Sequence, residues 1–286
     1  MLTIVLALGS ALMYGLSDFL GGVLSRRTSV WAVAVVTQVT ALVAIGGAAL
    51  VLGGTPAPED WMWGAIAGIG TGTGTGFLYR GLAGGRMSVV APLSAVGAAL
   101  VPVVVGTVTG ERPPPIVWAG IVLALPAIWL IATTTEAPTE TVDRGATPGR
   151  LGAGVVDGVL AGLGFGLMFA ALGQVPDEAG FGPLAAAEVT SIPAVIALAV
   201  VLRQPWVPRD RDSIWAIGVG ALAAGASVLF LLATQAGLLT VASVLASLYP
   251  AFTVLLAAVV LGEQIHRSQA VGLGLALAAV AMIASG

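Results

Sequence analysis

The apolar residues of this chain fall into ten long runs, separated by short segments that are polar or contain glycine and proline. Each run has about 18 to 24 residues, the length that an α-helix needs to cross the hydrocarbon core of a bilayer. The pattern therefore predicts ten transmembrane helices. The predicted spans cover residues 2–24, 30–52, 61–83, 87–109, 115–133, 152–174, 181–202, 213–236, 240–262 and 267–285.

The second half of the chain repeats the first. Residues 63–132 recur as residues 215–284 without insertion or deletion, at a constant offset of 152 positions. Aromatic and charged identities held in register are hard to obtain by chance, even in an apolar chain. The matched pairs include Trp63 with Trp215, Gly68 with Gly220, Glu111 with Glu263, and Gly120 with Gly272. An internal duplication in a membrane protein is typical of carriers.

The repeat predicts the domain organisation. Residues 1–133 and 151–286 each contain five spans, and a polar linker over residues 134–150 joins them. Because five is an odd number, the two halves are expected to cross the membrane in opposite senses. The predicted fold is an all-α integral membrane protein of ten transmembrane helices, arranged as two inverted five-helix repeats. A solute site is expected near the midplane, where the repeats meet.

Composition agrees with a membrane protein and excludes several functions. Charged residues are 9% of the chain and hydrophobic residues 58%, against about 25% charged in soluble proteins. The chain has no lysine, so a Walker-type phosphate loop and a retinal Schiff base are both excluded. It has no cysteine, and its one histidine, His266, lies in a loop. No nucleophile–base pair or metal-ligand cluster is visible, so we expect neither an enzyme, nor a metal site, nor a cofactor.

The arginines predict the orientation. Ten of the 11 arginines fall on one side of the predicted membrane, and only Arg112 falls on the other. By the positive-inside rule, we expect the arginine-rich loops and the linker to be cytoplasmic and both termini to be outside. The expected location is the plasma membrane, which the chain crosses several times. The ten are Arg26, Arg27, Arg80, Arg86, Arg144, Arg150, Arg203, Arg209, Arg211 and Arg267.

Two carboxylates inside predicted spans are candidate solute or coupling residues, because a charge at the bilayer centre costs about 2.5–3.5 kcal/mol on insertion scales. Asp18 ends a polar stripe that begins at Ser10 and includes Tyr14, at helical spacing. Glu188 lies near the middle of span 7. Either carboxylate is a candidate for proton coupling or for contact with a solute amine. The alternative is a structural role, such as pairing between helices. Asp157 lies about 8 Å from the predicted start of span 6, where we expect access to water.

Other polar and aromatic residues in the spans complete the candidate site. Gln38 is able to hydrogen-bond to a solute or across helices. Tyr14, Phe165 and Tyr249 are deep aromatics, which belong either to the core or to the wall of a solute cavity. Glycines recur every fourth residue in span 3, from Gly64 to Gly76, and form a groove suited to helix packing or to a cavity wall.

Asp18 and Arg80 form a candidate gate. At 1.5 Å per residue, Asp18 lies about 9 Å from the cytoplasmic end of span 1 and Arg80 about 4.5 Å from that of span 3. A salt bridge between them would close the inner mouth of a carrier. The alternative is that Arg80 contacts lipid phosphate.

The segments that end each repeat resemble a known family. Residues 88–93 lead to Gly110-Glu111, and residues 242–250 lead to Leu261-Gly262-Glu263. Both resemble the signature of EamA-type permeases of the drug/metabolite transporter superfamily. The first half departs from the pattern, since Ala98 stands where the second half has Pro250. The resemblance implies a secondary carrier of small metabolites such as amino acids, purines or drugs.

We therefore predict a transporter that works by alternating access, coupled to protons or to exchange. Its expected partners are a small-molecule solute and the lipid bilayer, and no nucleic acid. The alternative is an integral membrane protein that does not transport, such as a receptor-like or assembly protein. Buried carboxylates in a duplicated fold favour the carrier, because a scaffold has little need for charge inside the bilayer.

Overall fold

The structure, a computed structural model, describes residues 1–25, 27–83, 87–133 and 148–286. The regular structure within these ranges is helical, with two 3-10 turns at Asp177–Ala179 and Arg211–Trp215. The helices are α1 Leu2–Ser25, α2 Val30–Leu52, α3 Pro58–Ala83, α4 Met87–Val108, α5 Pro115–Ala132, α6 Pro148–Leu172, α7 Gly182–Val201, α8 Ala216–Gln235, α9 Leu239–Ala246, α10 Tyr249–Leu261 and α11 Arg267–Ala284.

The predicted all-helical membrane fold is confirmed. Nine segments among the described residues are long and apolar enough to cross a bilayer, and α9 with α10 counts as one of them. The remaining long helix is α3, whose glycines and threonines make it less apolar. Its 26 residues give a length of about 39 Å at 1.5 Å per residue, sufficient to cross. Of the predicted linker, residues 134–147 lie outside the described residues, and α6 begins at Pro148.

The second half contains a break that the sequence analysis did not predict. Span 9 was expected to be one helix, but α9 ends at Ala246 and α10 begins at Tyr249. Pro250 lacks the N–H that would bond the carbonyl of Ala246, and its ring crowds that carbonyl. The equivalent helix of the first half, α4, is continuous and carries Ala98 at the matching position.

The two halves meet through an approximate twofold relation. Helix α3 packs on α6 and α7, and its equivalent α8 packs on α1 and α2. Helix α5 pairs with α11, its own equivalent in the other half. A Cβ built on Gly120 would lie 2.9 Å from the carbonyl oxygen of Ala279, and one on Gly272 would lie 3.0 Å from that of Ala127. Because an offset of 152 positions converts one contact into the other, the interface is the same from both sides.

The glycines of α3 serve close packing on two neighbours. A Cβ at Gly72 would lie 3.0 Å from the carbonyl oxygen of Ser191 on α7, and one at Gly70 would lie 2.6 Å from that of Gly164 on α6. Backbone therefore approaches backbone on both faces, as small residues allow in membrane helices. Thr71 and Thr75, between the glycines, line the central cavity. The glycine groove therefore serves helix packing, and the threonines between the glycines supply the part of α3 that lines the cavity.

Candidate solute-binding site

A cavity of about 870 Å³ lies between the two halves of the chain. This volume is within the range of about 300–1,000 Å³ that is typical of small-molecule sites. The wall is built by helices of both halves. It includes all six residues that the sequence analysis selected for solute contact or coupling. They are Tyr14, Asp18, Gln38, Phe165, Glu188 and Tyr249.

Aromatic rings form one side of the cavity. The ring of Tyr14 meets that of Tyr249 edge-on, with centroids 6.4 Å apart, and meets that of Phe169 at 6.2 Å. Close approach of α1 to α10 makes this contact possible, because a Cβ on Gly15 would lie 2.8 Å from the carbonyl oxygen of Tyr249. The Tyr14 hydroxyl lies 2.9 Å from the hydroxyl of Ser227.

Two cavity residues were not selected from the sequence. Phe169 lines the cavity one helical turn after Phe165, so the spacing of four residues was the available signal. Ser227 is a small residue in an apolar span, and only its contact with Tyr14 across 213 positions distinguishes it. The ring of Phe165 itself lies over Gly74 of α3, where a Cβ would come within 2.8 Å of the ring.

The two carboxylates have different surroundings. Asp18 follows Tyr14 by one turn on α1 and is exposed into the cavity. Glu188 on α7 is 6% exposed. Ser191 lies one turn away, and its hydroxyl is 3.4 Å from Oε2 of Glu188. Gln38 of α2 donates from Nε2 to that same hydroxyl at 3.0 Å. The Ser191 hydroxyl also donates to the backbone carbonyl oxygen of Glu188 at 3.0 Å. Ser191 and Gln38 therefore surround Glu188 with polar groups, while Asp18 faces the open space.

The structure gives Arg80 a different partner from the one predicted. Its guanidinium donates from Nε to Oδ1 of Asp157 at 2.7 Å, and it lies 4.7 Å from the centre of the Phe77 ring. The predicted gate between Asp18 and Arg80 is therefore not the pairing formed in this structure. The prediction was based only on how far each residue lies from the end of its helix, and it did not include which helices are neighbours. In the structure, α3 packs directly on α6, the helix that carries Asp157.

The expectation for Asp157 was wrong. Its side chain is 2% exposed and does not meet water at the membrane surface. Helix α6 starts at Pro148, earlier than predicted, and its packing against α3 covers the Asp157 side chain. A buried carboxylate without a partner is costly, and the salt bridge to Arg80 compensates it.

The cavity reaches the protein surface at one end. There the wall consists of the last residues of α1, the first of α2 and the loop between α10 and α11. The loop residues Glu263 to His266 are exposed and line the cavity. At the other end the wall contains Leu172 and Leu184, each only 1% exposed.

Glu111 ties two elements together beyond that closed end. Its carboxylate accepts the backbone N–H of Leu239 at 2.5 Å and that of Thr240 at 2.9 Å. These are among the N–H groups that the first turn of α9 leaves without helical partners. Gly106 makes room for the carboxylate, since a Cβ there would lie 2.9 Å from Cδ of Glu111. The loop between α4 and α5 is thus held to the start of α9.

Comparison with protein families identifies the chain. The model of the EamA-like transporter family matches residues 1–133 and again residues 150–285, once for each half. The chain belongs to the EamA-like transporter family. The resemblance noted in the sequence is thereby confirmed, and the EamA family is a family of transporters and not of enzymes. The chain is accordingly a multi-pass membrane protein with a transporter's fold.

Comparison with solved structures supports the fold alone. One crystal structure, described only as that of a protein, superposes with a TM-score of 0.73 at 17% sequence identity. The match covers 98% of this chain and 96% of the other. A search of curated protein sequences finds no match.

Proposed function

We propose that this EamA-family chain is a secondary carrier that moves a small metabolite, amino acid or drug-like solute across the plasma membrane by alternating access. The observation that carries the proposal is the cavity of about 870 Å³ between two halves related by a twofold. It reaches one surface and stops beneath buried leucines at the other end. A carrier of inverted repeats requires such a site, reached from each side in turn.

The arginines indicate which side is open. The mouth of the cavity lies beside the loop that ends at Arg267, on the arginine-rich side. The positive-inside rule favours a cytoplasmic position for this side, and this supports an inward-facing state with both termini outside. Described arginines on this side are Arg27, Arg80, Arg150, Arg203, Arg209, Arg211 and Arg267.

The cavity residues have different roles in this proposal. Tyr14, Phe165 and Tyr249 form walls against an apolar part of the solute. Asp18 and Glu188 contact a polar part or carry a coupling proton, and Gln38 supports Glu188 through Ser191. In the outward-facing state, Glu111 releases α9 and the cytoplasmic ends of the helices close.

Counterflow in proteoliposomes tests the proposal. A thermal-shift screen of the purified protein against a metabolite library first identifies a stabilising ligand, since ligands that bind only the folded state raise its stability. Proteoliposomes loaded with that ligand should then accumulate its labelled form, and empty liposomes should not. A ligand that stabilises the protein but shows no counterflow would support the receptor-like alternative.

A further inference from the structure

In the described part of the cavity wall, the formally charged side chains are carboxylates. They are those of Asp18 and Glu188 deep in the cavity and of Glu263 at its mouth, with no arginine among the described wall residues. An anionic solute entering this space would be repelled by the two deep carboxylates, and no described wall residue offers it a cationic partner.

Asp18 is the carboxylate with free acceptor capacity. No described residue donates a hydrogen bond to it, and its side chain is exposed into the cavity. Glu188 is 6% exposed and lies 3.4 Å from the hydroxyl of Ser191. An ionised carboxylate has about four lone-pair sites, so Asp18 is able to accept several N–H donors from a solute.

Aromatic rings lie on the same cavity wall as Asp18. Tyr14 precedes Asp18 by one turn of α1, and its ring is in edge-to-face contact with that of Tyr249 at 6.4 Å. Aromatic rings attract a cation held within about 6 Å of their centre. A positive group at Asp18 would thus be stabilised by the carboxylate and by the neighbouring rings together.

The rest of the wall suits an apolar body. Val33, Leu78, Val219 and Val254 line the cavity and offer contacts to an apolar body. Hydroxyl groups, including those of Thr71, Thr75 and Ser227, are also part of the wall.

We infer that the cavity takes protonated amines with an apolar or aromatic body, and that Asp18 receives the ammonium group. The inference rests on the proposed function and deepens it by naming the class of solute. Glu188 is buried beside Ser191 and Gln38, and it contributes negative potential without direct contact to the ammonium group.

A matched series of probes tests the class of solute. The three probes are 2-phenylethylamine, 2-phenylethanol and 3-phenylpropanoate, which share a phenyl body and differ in charge at neutral pH. Binding to the purified full-length protein is measured by isothermal titration and by thermal shift. The amine should bind at least tenfold more tightly than the alcohol, a difference of about 1.4 kcal/mol, and the carboxylate should bind more weakly still.

Three variants test the role of Asp18. Asp18→Asn should weaken the amine at least tenfold and leave the alcohol unchanged, because it removes charge and keeps shape. Glu188→Gln should weaken the amine less than threefold. Glu59→Gln, an exposed acidic position in the first turn of α3, is the control and should bind as the wild type does. Size-exclusion profiles and unfolding midpoints confirm that each variant is folded.

The outcomes separate this inference from the proposed function. Equal binding of amine and alcohol, preference for the carboxylate, or no binding of any probe would overturn the amine class. A larger effect of Glu188→Gln than of Asp18→Asn would overturn the assignment to Asp18. In each case, counterflow of a ligand from the metabolite screen still tests the carrier independently.

Discussion

Removing the carboxylate of Glu111 should loosen the closed end of the cavity. Glu111 accepts two backbone N–H groups at the start of α9, at 2.5 and 2.9 Å. In Glu111→Ala both donors lose this partner, and the loop between α4 and α5 loses its attachment to α9. We expect a less stable protein that populates the outward-facing state more often.

The structure sets the size of the effect. Hydrogen bonds to charged groups contribute about 1.5–3 kcal/mol each, and loss of a helix N-cap costs about 0.5–2 kcal/mol. Glu111 is only half-buried, so water replaces part of what is lost. We therefore expect about 1–2 kcal/mol. If that energy stabilises only the closed outer side, the population of the open state rises about five- to thirtyfold.

Cysteine labelling measures this opening directly. The chain contains no cysteine, so Ser243→Cys introduces one thiol. It lies at a fully buried position of α9, one turn beyond Thr240. A membrane-impermeant thiol reagent applied to intact cells should label it slowly in the wild-type background. Labelling should be at least fivefold faster with Glu111→Ala.

Two further variants separate the hydrogen bonds from general damage. Gly106→Ala keeps the charge but places a methyl group against the carboxylate of Glu111, and it should accelerate labelling in the same direction. Glu59→Ala removes an exposed carboxylate near another helix start and should have no effect. Unchanged labelling in both Glu111→Ala and Gly106→Ala would refute the idea that Glu111 holds this end closed.

Three further sets of substitutions test the cavity carboxylates, a close helix contact and the salt bridge of Arg80. Asp18→Asn and Glu188→Gln should each lower the initial rate of counterflow while the protein stays folded, and normal rates in both would return these residues to a structural role. Gly220→Ala should destabilise the protein by about 1–3 kcal/mol, because its Cβ would lie 2.6 Å from the carbonyl oxygen of Thr37. Gly218→Ala on the same helix is the control, since a Cβ there meets no atom within 4 Å, and its thermal unfolding should be near that of the wild type. Arg80→Gln removes the arginine partner of the buried Asp157 and should cost about 2 kcal/mol, discounted because Arg80 is 39% exposed. Adding Asp157→Asn should restore part of this loss, and strictly additive losses would argue against the pair.

Most of the fold could be predicted from the sequence, because hydrophobic run length determines where membrane helices start and end. The repeat also matched Gly120 with Gly272 in sequence, and the structure places these two glycines in equivalent contacts. The break before Pro250 was missed, although a proline inside a helix is a visible signal. Four other prolines, at 92, 102, 126 and 193, leave their helices continuous, so proline alone does not decide where a helix breaks.

The site was harder to predict, because it depends on which helices are neighbours. Residue type and depth sufficed to select the six candidates that line the cavity. They did not show that Arg80 meets Asp157, since that contact joins α3 to α6 across 77 positions. Likewise, Glu111 was visible as half of a repeated Gly-Glu pair, but its partners lie 128 and 129 positions away. Only the packing of the helices brings these groups together.

Access to the cavity from both sides of the membrane is the most direct test of alternating access. Thr71 lines the cavity on α3, and Thr71→Cys provides a single thiol there. An impermeant thiol reagent is applied outside intact cells and, separately, outside inverted membrane vesicles. Labelling should occur from both sides, faster from the arginine-rich side, and a bound cavity ligand should slow it from each. Labelling from one side alone, under conditions in which the wild type shows counterflow, would contradict a central cavity that opens to both sides in turn.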